Sequence, residues 1–214
     1  MAHGKQRPYW LLAELAVLFV LVPLILAFAL PPRALYPVLG LATGFGILLL
    51  HFTARFQWRS LLGPVEWRPV ALIAVVCAVV STALTLILLP ERFLAIPRQA
   101  PILMVTITLF YPIVLVIPQE LVFRPLFYTR YGHLFASQYQ AVLANASLFS
   151  LAHLMYWHWV VLTMTFAGSL LFSWAYLHKK SFPLAVVMHA VAGLIVFFSG
   201  LGWFFYSGGN VAAG

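Results

Sequence analysis

The sequence predicts an all-α fold, a polytopic transmembrane bundle of seven or eight helices with one helix broken by prolines. Three observations carry this reading. Hydrophobic residues make up 64% of the 214, against roughly 45–50% apolar in a soluble domain. Only 7% are charged, too few to cover a water-facing surface. The apolar residues also fall into runs of about 20, the length that spans a bilayer. A single integral membrane domain over 1–214 follows, with the chemically distinctive part at 101–205.

The runs lie at Trp10–Leu30, Leu35–Ala54, Val70–Leu89, Pro101–Phe127, Gln138–Met155, Val160–Leu177 and Phe182–Phe205. The first follows Lys5 and Arg7 and ends near Ala27 and Ala29, as a cleaved signal would. Its apolar run is longer than the roughly 7–15 residues of a signal core, so a retained helix is expected. The fourth contains Pro112, Pro118 and Pro125. Proline removes a backbone donor and kinks a helix, and the freed carbonyls must face protein or a wet cavity. Residues 207–214 are small and polar, and read as a loose tail.

Lys5, Arg7, Arg55, Arg59, Arg68, Arg130, Lys179 and Lys180 alternate along the chain with Arg33, Arg92 and Arg98. The heavier side marks the cytoplasm, which puts the N-terminus inside. A net charge of +8 raises the question of nucleic acid, but the cations are spread over short loops and suit anionic lipid headgroups instead. The lipid bilayer is therefore a partner and nucleic acid is not. The one cysteine, Cys77, has no partner for an intramolecular disulfide.

The chain has four acidic residues, all glutamate. Glu66 and Glu91 fall in loops, and Glu14 lies one turn into the first run. Glu120 is well inside the fourth, in Pro118-Gln119-Glu120-Leu121-Val122-Phe123-Arg124. An ionisable group there is expensive and points to a function or a partner. Arg124 follows at i+4, on the same helix face, so the pair alone is equally a structural ion pair. Two intramembrane histidines add weight. Asn145, Phe149 and His153 recur at every fourth position, and His189 lies in the last run. A carboxylate, two imidazoles and an amide can together activate water where bulk solvent is excluded.

Gln119-Glu120-x-x-x-Arg124, Phe149-x-x-x-His153 and His189-x-x-x-Gly193, in that order and each in an apolar run, resemble the motifs of the CAAX protease and bacteriocin-processing family of glutamic-type intramembrane proteases. The resemblance implies an intramembrane endopeptidase acting on a membrane-anchored peptide or protein, or on a C-terminal tail, in a prokaryotic inner or plasma membrane. Carried over, Glu120 activates water, Arg124 keeps it ionised, His153 shares the proton or orients the water, and His189 stabilises the oxyanion. Two positions depart from the family pattern. Gln119 stands where the family has its first glutamate, and Gly193 where it has a final asparagine. An amide takes no proton from water at neutral pH, so Gln119 is expected to orient substrate or water, with Asn145 in a similar part. No cofactor is implied. Zinc on Glu120, His153 and His189 is the minority alternative, and a degenerate member acting as a binding, scaffold or immunity protein is the rival to catalysis.

Overall fold

The computed structural model describes residues 8–205; Lys5, Arg7 and the 207–214 tail lie outside the described residues. Seven long helices follow one another: α1 (Tyr9–Phe28), α2 (Leu35–His51), α3 (Trp67–Leu88), α4 (Pro101–Leu134), α5 (Gln138–Leu151), α6 (Trp159–Leu177) and α7 (Phe182–Ser199). Six of them, all but α5, are long and apolar enough to cross a membrane. The 14 residues of α5 reach only about 21 Å at 1.5 Å per residue. Its C-terminal end, and His153 just beyond it, therefore stop short of a full hydrocarbon crossing.

The distribution of exposure identifies the solvent as lipid. Leu41, Ile87 and Ile102 are 76%, 74% and 82% exposed, whereas Glu120, Arg124, Asn145, Ser169 and Ser173 are all 0% exposed. An apolar exterior around a polar centre is the arrangement a bilayer selects, because unsatisfied polar groups cannot face acyl chains. The aromatic centre of the bundle is built on Phe19 of α1, whose ring meets Phe123, Phe127 and Tyr131 of α4 edge-on. On the other side of α4, a Cβ on Gly46 of α2 would sit 3.2 Å from the Leu126 side chain, so the small residue sets how closely α2 approaches.

The prolines interrupt the α-helical geometry of α4 without ending the helix. Pro112–Val116 and Val122–Tyr131 are π-helical, and Ile117–Leu121 between them is α-helical. Pro112 opens the first wide stretch and Pro125 lies inside the second. Each proline lacks the N–H that an α-turn would use, and the wider winding accommodates the loss.

Polar ties mark the two ends of the bundle. At one end Arg130 and Tyr131 of α4 both donate to Glu14 of α1, and Arg130 also reaches Thr53 at 3.1 Å. Lys179 pairs with Glu66 at 2.8 Å at that same end, joining the α6–α7 and α2–α3 connections. At the other end the Arg92 guanidinium lies 3.8 Å over Trp203, and Gly200 closes α7 with φ 102°. A Cβ at Gly200 would run into the Arg92 carbonyl, so both backbone conformation and space require glycine there.

Candidate active site

Neighbours on an α-helix point about 100° apart, and α4 uses that angle to separate Gln119 from Glu120. Gln119 lines a cavity of about 980 Å³, although its Oε1 is itself buried and has no hydrogen-bond partner among the described residues. Glu120 is turned away from that cavity into protein.

The Glu120 carboxylate is fully engaged. Arg124 Nε donates to Oε2 at 2.8 Å and Nη2 approaches Oε1 at 3.4 Å, while His189 Nδ1 lies 2.9 Å from Oε1. Arg124 is clamped from the far side as well. Its Nη1 donates to Asn145 Oδ1, to Ser173 Oγ at 2.9 Å and to Ser169 Oγ at 3.2 Å. The Asn145 nitrogen donates to the Phe123 carbonyl at 2.7 Å. A guanidinium has five N–H donors and no acceptor, and α4, α5 and α6 all contribute oxygens to it. Such a network keeps both charges compensated in a dry interior.

This geometry fixes the histidine tautomers. A carboxylate held between a guanidinium and an imidazole accepts only, so His189 Nδ1 carries the proton and donates it. His189 Nε2 then holds the free lone pair. His189 lines the cavity, and among the described residues Nε2 has no partner. Its ring is fixed by stacking on Phe172, centroids 4.8 Å apart and planes 13° apart. His153 Nδ1 lies 2.8 Å from the Phe149 carbonyl; a carbonyl only accepts, so this nitrogen too is the donor and Nε2 is free. His153 also lines the cavity, with Phe149 between the two histidines at centroid distances of 4.8 and 5.6 Å.

Two residues singled out on the sequence lie off the cavity wall. Asn145 is fully buried, with its oxygen against Arg124 and its nitrogen against the Phe123 carbonyl. Glu120 is bonded through both its oxygens and does not line the cavity. Ser169 and Ser173 were missed, although Thr165, Ser169 and Ser173 recur at every fourth residue of an apolar run and mark a polar face. Tyr111 was also missed; its ring occupies the space over Gly193. Among the described residues no three His, Cys, Asp or Glu side chains come together as a metal set.

Residues 100–195 match the family described as type II CAAX prenyl endopeptidase, Rce1-like. The match runs from the start of α4 into α7 and takes in Glu120, Arg124, Asn145, His153 and His189, so it coincides with the motifs on which the CAAX-protease resemblance rests. The matched segment contributes Gln119, His153 and His189 to the cavity wall, which α2 and α3 also line through Tyr36, Ile73, Val76 and Val80. No curated protein and no solved structure matches the chain.

Proposed function

We propose that the chain is an intramembrane endopeptidase that hydrolyses a peptide bond in a membrane-anchored or C-terminal-tail substrate, with His189 as the group that meets water. The observation that carries this reading is the Glu120–His189 pair, 2.9 Å apart, with imidazole Nε2 left free on the cavity side. A buried carboxylate behind an imidazole fixes its tautomer and stabilises the imidazolium that forms when the ring accepts a proton. In the reaction, His189 Nε2 takes a proton from water as the water oxygen bonds to the carbonyl carbon, giving a tetrahedral oxyanion. Collapse of that intermediate breaks the C–N bond, and the proton on Nε2 passes to the departing amine. Gln119 lines the cavity, and its side-chain amide, which both donates and accepts, hydrogen-bonds the substrate backbone and holds the chain in place. The free lone pair of His153 Nε2 accepts a hydrogen bond from the second O–H of the attacking water, which stays on the oxygen.

Orientation belongs to the same proposal. Arg55, Arg59, Arg68, Arg130, Lys179 and Lys180 gather at the Glu14 end, against Arg33, Arg92 and Arg98 at the Trp203 end. This favours a cytoplasmic N-terminus in a prokaryotic inner or plasma membrane.

The alternative is a membrane binding or scaffold protein. It is favoured by one observation: the site's carboxylate is sealed, and the neighbouring cavity-facing group is an amide. Comparison of membrane-peptide termini from cells with and without the protein separates the two. An endopeptidase generates a terminus that is lost in His189→Ala and reduced about 10³-fold or more in Glu120→Gln, as for a tautomer-fixing carboxylate, while Gln119→Glu retains it. If folded His189→Ala protein still generates the terminus, or no terminus depends on the chain, the binding role is the better account.

A further inference from the structure

The oxyanion in the proposed reaction needs a donor of its own: at rest each histidine places its proton on Nδ1, against Glu120 and the Phe149 carbonyl, and the proton that His189 Nε2 gains from water goes to the departing amine. Arg124 and Asn145 are turned away from the cavity and saturated. The Gln119 amide is engaged by the substrate backbone in that reaction, and its oxygen is buried. The donor must come from elsewhere on the cavity wall.

Tyr111 meets the requirement. It lies on the first part of α4 immediately before the π-helical stretch at Pro112, and it lines the same cavity as Gln119, His153 and His189. Its ring is edge-on to His189 with centroids 6.3 Å apart, and is braced by Phe197 at 5.5 Å. The phenol reaches this place because residue 193 is glycine. A Cβ there would overlap the Tyr111 hydroxyl and ring. Gly193 lies four residues after His189 on α7, hence on the same helix face, so the hydroxyl arrives where a polar side chain at 193 would itself begin. Among the described residues that hydroxyl has no hydrogen-bond partner. A phenol is a neutral O–H donor, and a preorganised donor at a developing oxyanion acts most strongly where water is excluded.

We infer that Tyr111 donates its hydroxyl proton in a hydrogen bond to the carbonyl oxygen of the scissile bond as that oxygen gains charge, delivered across Gly193 from α4 to the His189 face of α7. The inference rests on the endopeptidase reading and adds a catalytic residue to it. The experiment compares wild-type, Tyr111→Phe and Glu120→Gln full-length protein in membranes, on the peptide whose new terminus the wild-type protein generates. Tyr111→Phe keeps the ring over Gly193 and removes only the donor. The expected result is a fall in kcat of about 10²-fold, with KM little changed and the unfolding temperature in detergent equal to wild type. An unchanged kcat in Tyr111→Phe alongside an inactive Glu120→Gln overturns the Tyr111 assignment and leaves the endopeptidase reading standing. A loss expressed in KM, or accompanied by a lower unfolding temperature, makes Tyr111 a packing residue and also overturns the assignment. If no terminus depends on Glu120, both fall together.

Discussion

Removing the Arg124 side chain tests the energetic centre of the bundle. Arg124→Ala deletes the partner of a carboxylate that is 0% exposed and strips Asn145, Ser169 and Ser173 of their common donor. Breaking a buried pair by deleting one partner costs about 3–5 kcal/mol, because the remaining ion is uncompensated. Arg124→Lys keeps the charge beside Glu120. A lysine ammonium cannot fork to the carboxylate and to three oxygens behind it, so an intermediate loss is expected. The control is the double change Glu120→Leu with Arg124→Met, which removes both charges together and should be markedly less destabilising than Arg124→Ala, since no lone ion remains. Unfolding in mixed micelles, followed by the fluorescence of the seven tryptophans, gives the three values. An Arg124→Ala loss below about 1 kcal/mol, the level of an exposed pair, would refute the argument, as would a double variant no more stable than Arg124→Ala.

Other substitutions probe the supports around this centre. Glu14→Ala should leave Tyr131 without its acceptor and Arg130 with Thr53 alone, and lower stability by about 1–3 kcal/mol in the same assay, the cost of orphaning polar groups; no change would mean that the α1–α4 tie is incidental. Gly200→Ala forces a non-glycine residue to φ 102° against the Arg92 carbonyl and should cost about 1–3 kcal/mol or more, readable as a lower unfolding temperature. His158, in the connection between α5 and α6, accepts from the Val160 N–H at 3.3 Å through Nδ1 and stacks on Phe204. Burial holds its pKa below the ordinary 6.5, so its contribution to stability is present above 6.5 and is lost as pH falls through the lower folded value. Wild-type protein should therefore lose more unfolding temperature between neutral and acid pH than His158→Gln does; identical slopes would remove His158 from the account.

The span pattern was legible because lipid imposes it on composition: six of the seven apolar runs return as helices long enough to cross. The short α5 was harder to read, because Ala152 to Tyr156 continue the apolar run while the backbone leaves the α-helix after Leu151. The i, i+4 spacing of Glu120 and Arg124 was enough to anticipate their contact, which depends on local helix geometry alone. Which face of α4 met the cavity was not legible. It depends on where α5, α6 and α7 pack, and those contacts turned Gln119 toward the cavity and Glu120 toward Arg124. Asn145 was found but given another part, since an intramembrane amide is equally suited to binding a ligand or saturating a charge. The approach of Tyr111 to Gly193 joins residues 82 positions apart, and neither residue type announces such a contact.

The π-helical stretches of α4 give the chain an angular adjustment. A π-turn accommodates an extra residue in an otherwise α-helical rod, so it acts as a phase shift between the part of α4 that carries Tyr111 and the part that carries Gln119 and Glu120. A one-residue deletion that restored α-helical winding within 112–116 would leave the downstream face nearly where it is, whereas one upstream of it that the π-turn did not absorb would turn everything downstream by about 100° about the axis, the same angle that separates Gln119 from Glu120. A change of one codon could thus exchange which of the two side chains looks into the cavity, with no chemical substitution at either position.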